Sequence, residues 1–213
     1  MDLYCYVIAS DAGIAPNYEP PFTTLAICKP RIRKKAVEGD ALLAFTGAHL
    51  SSEPHAIRWA GVVKKKLTFA EYWNEPKFAG KRPGATELPD NIYLPRDGGY
   101  SFEQIPNKSH GHDRKLSDLS GGYVLVLDPV WRFHGSGPIL PARFGYRMHL
   151  TGRRNHRRHE LTPSAWGQLK TWLNDRQKEI GVAHPEGGTE SCDSPRTRCE
   201  VNRPAAKPRP RCR

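Results

Sequence analysis

The sequence predicts an α+β fold: a small curled mixed or antiparallel β-sheet, closing towards a barrel, with one short helix and one longer C-terminal helix. Three observations predict it. Short apolar runs of strand composition recur at residues 3–9, 41–46, 57–66 and 123–128, separated by Gly, Pro, Asn and Asp turn signals. Helix signals occur clearly at two places only, after a capping box at Thr68 and after Thr162-Pro163. No internal repeat and no regular strand–helix alternation is visible, which favours α+β over a doubly wound parallel sheet.

Each element can be justified in order. Leu3 to Ala9 is almost wholly apolar and reads as a strand buried on both faces, ending at the turn Ser10-Asp11-Ala12-Gly13. Residues 14–22 hold three prolines and form a loop. Thr24 to Phe45 is the most informative stretch: an apolar run meets Lys29-Pro30, a basic cluster of Arg31, Arg33, Lys34 and Lys35 follows, and Gly39-Asp40 turns into a strand. Pro30 predicts an extended Lys29, and residues 31–38 fit one helical turn or a loop. Thr68-Phe69-Ala70-Glu71 starts a short helix that Pro76 limits. Asp90–Tyr93 and Tyr100–Ile105 fit short strands, and Asn107–Ser120 an exposed polar loop. The strand from Tyr123 is expected to end at Pro129, with a last short strand at 139–141. Thr162 caps the final helix, whose stripe is Trp166, Leu169, Leu173 and Ile180, and Gly181 stops it. Residues 1–183 are expected to form one domain. Residues 184–213, rich in Pro, Gly, Ser and Arg, are expected to be a disordered basic tail.

The charge bounds the function. Across 213 residues the net charge is +11, and the pI is about 9.6. Such a balance favours an anionic partner, nucleic acid first. No apolar run is long enough to span a membrane, and the first residues, MDLYCYVIAS, open like a strand rather than a signal peptide. A cytoplasmic, reduced protein is therefore expected. Cys5 and Cys28 sit in apolar runs, and no CxxC pair occurs among the five cysteines. No metal site and no cofactor are expected.

Three constellations carry possible chemistry. The basic stretch 29–35 and the arginines at 153–158 suit phosphate, because the guanidinium fork makes two hydrogen bonds at once. They serve one ligand only if the fold puts them on one face. The aromatics Trp59, Tyr72, Trp73, Tyr93, Trp131 and Phe133 include mostly core residues. Trp131, beside Arg132 and a glycine turn, is the first choice for a wall on which a base stacks. Asp11, Asn17 and Asp40 could read a base edge. The histidines 110, 112, 134, 149, 156 and 159 match no metal spacing.

The ordered motifs LYCYVIASDAGIAPN, TLAICKPRIRKKAVEGD, LTFAEYWNEPKFAGKRP, DNIY and VLVLDPVWRFHGSGP resemble the second of the nucleotide-modification-associated domain families. The resemblance covers roughly residues 1–183. It implies a bacterial or phage protein acting where nucleotides in DNA are modified, near DNA-modification enzymes, with no catalytic residue assigned. The family pattern falls on Asp11, Gly13, Pro16, Asn17, Lys29, Pro30, Arg33, Gly39, Asp40, Tyr72, Trp73, Arg82, Asn91, Tyr93, Phe133 and Gly135. A looser likeness, at fold level only, is to barrels of the PUA, ASCH and EVE type.

The reading is a binding module for DNA or a modified nucleotide, with Asp11, Asn17, Lys29, Arg31, Arg33, Asp40, Trp131, Arg132, Arg153 and Arg154 as its contacts. The alternatives are a small nucleotide- or DNA-processing enzyme using Asp11 with Lys29 or Arg33, and a phosphate-binding accessory protein.

Overall fold

The structure is a computed structural model that describes residues 1–9, 11–47, 50, 53, 56–108, 110–135, 137–146 and 156–180. The expected tail at 184–213 and the arginines at 153 and 154 lie outside these residues.

Six strands form the main sheet: β1 (Asp2–Ile8), β2 (Thr23–Leu25), β3 (Ala41–Thr46), β4 (Ile57–Thr68), β7 (Tyr123–Arg132) and β8 (His156–Glu160). Their order is β2-β7-β4-β3-β1-β8. β1 runs parallel to β3, and the other neighbours are antiparallel. A hairpin of β5 (Tyr93–Arg96) and β6 (Ser101–Gln104) stands apart. Among the described residues there are four α-helices: α1 (Pro30–Lys35), α2 (Phe69–Asn74), α3 (Lys115–Leu119) and α4 (Pro163–Ile180).

The α+β class and the mixed sheet are as predicted, but the expected barrel does not close. β2 and β8 remain the two edges of an open sheet. β2 has only three residues, and β8 carries Arg157 and Arg158. Short and charged strands are the usual ways of leaving an edge unpaired.

Both faces of the sheet are buried. On one face, Ile32 of α1 and its C-cap residue Ala36 cover Tyr4, Tyr6, Leu42, Ala44, Trp59 and Leu125. On the other, Leu169, Trp172 and Leu173 of α4 pack on Leu3, Leu43, Phe45 and Trp131. Beyond α4, this second face is closed by α2 and the β5–β6 hairpin, through Phe69, Tyr72, Tyr93, Val124 and Val126. Leu169 and Leu173 are four residues apart and fully buried, each contributing about 1.5–3 kcal/mol.

The caps are where the sequence puts them. Thr68 accepts from the Glu71 N–H and the Glu71 carboxylate accepts from the Thr68 N–H, a closed capping box. Thr162 Oγ1 accepts from the Ala165 N–H at 3.2 Å and starts α4.

Four local expectations are corrected. β7 runs through Pro129 to Arg132 on a cis Asp128–Pro129 bond; a proline lacking an N–H is tolerated where the ladder shifts register, as β4 and β7 do between Gly61 and Val63. Lys29 is left-handed (φ 44°) rather than extended, with Pro30 at the first helical position. Residues 107–120 are not simply an exposed loop: they contain α3 and the buried Asp118. Ile139 makes one isolated bridge to Ala56 instead of a strand.

Candidate functional site

Residues directly opposite one another on paired strands point to the same face. Tyr6 opposes both His156 and Ala44, Ala44 opposes Trp59, and Trp59 opposes Arg132. His156, Tyr6, Ala44, Trp59 and Arg132 therefore form one row across five strands, on the face that carries α1. The small Ala44 leaves room for Tyr6 and Trp59 to meet edge-on, at 5.9 Å and 72°.

Loops bring more groups onto this row. Lys29 Nζ stands 4.5 Å from the centre of the Tyr6 ring and donates to the Val7 carbonyl at 3.3 Å. The Arg132 guanidinium lies over the Tyr18 ring. Asp11 is held by Arg58 at 2.5 Å, with its side chain only 4% exposed, and Arg58 also donates to the Gly135 carbonyl. On the far side of Tyr6, Lys35, Arg31 and Lys29 raise the potential at His156. The cationic stretch of α1 and the start of β8, remote in sequence, thus share one face.

Three buried polar atoms around this row have no hydrogen-bond partner among the described residues: Tyr18 Oη, Thr46 Oγ1 and Arg132 Nε. Thr46 lies two residues beyond Ala44 on β3, Arg132 belongs to the row, and Tyr18 stacks against it. A buried polar atom left unpaired costs about 1–3 kcal/mol. Native proteins keep few, and water or a ligand satisfies most of them.

The electrostatics are those of an enclosed cationic site. Burial, then the nearby Tyr18, Cys28 and Asp11, push the Tyr6 hydroxyl well above its usual range, and the Trp59 indole offsets this only in part. Burial also raises Tyr18, with Asp11 adding to it and Arg132 and Arg58 opposing. Burial, followed by Arg132 and Arg58, lowers His134. Burial, followed by Lys35, Arg31 and Lys29, lowers His156.

The residues singled out from sequence divide sharply. Asp11, Lys29 and Arg132 gather at the row, and Arg31 lies exposed at its rim. Asn17, Arg33 and Asp40 are used inside the protein. Asn17 donates to the Leu88 carbonyl and accepts from Lys81 at 2.7 Å. Asp40 accepts from the N–H groups of Asp2 and Val37. Arg33, fully buried, donates to the carbonyls of Cys28, Tyr123 and Asp118. Trp131 faces the other way: its indole N–H goes to Asn174 of α4 at 2.8 Å. Tyr6, Tyr18 and Arg58 were not singled out as site residues, although period two along β1 already sets Tyr4 and Tyr6 on one face.

The family model described as nucleotide modification associated domain 2 matches residues 1–192. The chain belongs to this family. No curated protein and no solved structure matches it. Within this nucleotide-modification-associated domain, the residues on which the sequence resemblance rests form an internal frame and an anchored rim. Asn17, Arg33, Asp40, Tyr72, Asn91 and Tyr93 are buried and hydrogen-bonded. Asp11, Lys29 and Gly135 border the row. Among the described residues of the domain, no helix is long and apolar enough to cross a membrane.

Proposed function

We propose that this domain is a binding module that takes DNA or a modified nucleotide on the α1 face, within a cytoplasmic DNA-modification system of bacteria or their phages. One observation carries the reading: a row of aromatic and cationic side chains around which three buried polar atoms lack partners among the described residues. A base offers a flat face for Tyr6, Tyr18 or Trp59 to stack on and polar edges for those atoms, with stacking contributing ~1–3 kcal/mol per base. Lys29, Arg31, Lys35 and Arg132 supply positive charge for the phosphate.

The acids support binding over catalysis. Asp11 is neutralised by Arg58, and Asp40 is committed to two backbone N–H groups. Neither stands ready as a base. Enzymes of DNA modification are the protein partners this reading implies.

The test is titration of duplex and single-stranded DNA, unmodified and base-modified, at about 50 and 200 mM salt. Affinity is expected to fall steeply with salt. Arg31→Gln should reduce the log–log salt slope by roughly one for a phosphate contact, and Arg132→Gln should weaken binding at both salts. Absence of binding at the lower salt, by the intact folded chain, overturns the reading.

A further inference from the structure

A second group of side chains meets beside the Arg33 anchor and takes no part in the row. Cys28, His110 and Asp118 each present a metal-ligand atom, and these atoms all lie within 4.8 Å of one another. They come from three separate places: the turn before α1, the loop after β6, and α3. We propose that Cys28 Sγ, His110 Nε2 and Asp118 Oδ2 form a binding site for a zinc-class divalent cation, with one coordination position left for water or a ligand.

The backbone around each donor is fixed by other bonds. Cys28 and Lys29 are both left-handed, at φ 58° and 44°, a conformation that costs a non-glycine residue roughly 1–2 kcal/mol. It is held because Cys28 N–H donates to Asp118 Oδ1 at 2.8 Å while Arg33 Nε donates to the Cys28 carbonyl at 2.8 Å. The His110 N–H donates to Asn107 Oδ1, and its carbonyl accepts from Gln104. The Tyr93 hydroxyl donates to Asp118 Oδ2 at 2.8 Å. This is the outer layer that metal-binding carboxylates ordinarily carry.

The donors themselves converge closely. His110 Nε2 pairs with Asp118 Oδ2 at 2.7 Å, a contact that a cation held between the two would take over. Cys28 is a free thiol. On a zinc ion with bonds of about 2.0–2.3 Å, neighbouring donors stand roughly 3.3–3.7 Å apart. The observed spread, from 2.7 Å to at most 4.8 Å, brackets that geometry.

Ligand chemistry selects the class of metal. One thiolate, one imidazole and one carboxylate suit zinc or cobalt(II) and are too few and too soft for calcium or magnesium. Binding releases the Cys28 thiol proton to solvent. Burial and Asp118 oppose that ionisation, and Lys29, Arg33 and Arg114 assist it. The side chain of His110 is 12% exposed, against 2% for Asp118, which puts the open position on the His110 side. No motif search could find the site, because residues 28, 110 and 118 share no metal-ligand spacing.

The test is Co²⁺ titration of the reduced full chain, followed by optical absorption and then by displacement with Zn²⁺. One equivalent of Co²⁺ should give a thiolate-to-cobalt charge-transfer band, which Zn²⁺ removes. Cys28→Ser should abolish the band, and His110→Ala should weaken Co²⁺ binding at least tenfold. Tyr93→Phe should weaken it roughly tenfold, as an outer-layer partner does. A triple Ser variant at Cys192, Cys199 and Cys212 should keep the band. Circular dichroism establishes that each variant is folded. A band that survives Cys28→Ser, a band lost in the triple variant, or no band in the folded full chain overturns the proposal. Since DNA binding is read separately, failure here leaves the proposed function standing, and the reverse.

Discussion

The guanidinium of Arg132 lies 4.0 Å from the centre of the Tyr18 ring, and neither Arg132 Nε nor the Tyr18 hydroxyl has a hydrogen-bond partner among the described residues. Tyr18→Phe keeps the ring under the cation and removes the orphaned hydroxyl. The free protein should keep its stability or gain up to about 1 kcal/mol, since an unpaired buried polar group is lost. Binding of the preferred nucleotide should weaken. Urea midpoints and DNA titration check the two halves. A stability loss above about 1 kcal/mol would mean the hydroxyl serves the fold instead.

Arg33→Met removes three charged hydrogen bonds to main-chain carbonyls, those of Cys28, Tyr123 and Asp118, of which the Asp118 carbonyl keeps the Gly121 N–H. Burial has already lowered this guanidinium to about 10, against the opposing pull of Asp118. Three hydrogen bonds from a charged donor at ~1.5–3 kcal/mol each predict a loss of at least ~3 kcal/mol. Arg33→Lys should recover little, because one ammonium cannot reproduce a planar fork. Denaturant unfolding with unchanged m gives the number.

Trp131→Phe should cost about 1 kcal/mol for its bond to Asn174 and leave nucleic-acid affinity unchanged. The sequence reading made Trp131 the first stacking wall, but its ring packs edge-on to Trp166 beneath α4. Parallel thermal unfolding and DNA titration decide between the two. Lost affinity at full stability would restore the stacking role.

Stability should fall on acidification through the histidine range. His134, His156 and His159 are all lowered, chiefly by burial. The unfolded chain therefore takes up protons first as pH drops below about 6.5. Their contribution is complete above that pH and is lost towards their folded values. Asp90, raised by burial, works in the opposite sense, so His156→Gln compared with the parent isolates the histidine part. The melting temperature of the variant should depend less on pH between about 5 and 7. An identical pH dependence would remove His156 from the account.

Much of the fold was legible because its signals are local. Thr68 with Glu71 and Thr162 with Pro163 are short-range caps, and the apolar runs of β1, β3 and β7 need no partner to be seen. β8 was not legible: HRRHE has no apolar alternation, and it is a strand only because β1 offers it a backbone edge. The row was hidden for the same kind of reason. Positions 6, 44, 59, 132 and 156 become neighbours through register alone, and a one-residue slip would turn each away. The cationic stretch of α1 lies on the face of the row, but sequence could not separate its rim residue Arg31 from Arg33, which folds inward. Asp118 gave no signal, because nothing nearby announces that a polar segment hides a buried carboxylate.

The pairing of β8 with β1 has a consequence for how the protein is made. Asp2 and Arg158, joined by an ion pair on adjacent strands, are 156 positions apart in sequence. During synthesis, the first strand emerges long before the segment that covers its outer edge. Contacts of such separation form late and slowly, and an uncovered hydrophobic strand is exposed to wrong pairing meanwhile. The last strand thus acts as a clasp, and the row gains its His156 end only when nearly the whole described chain has been produced.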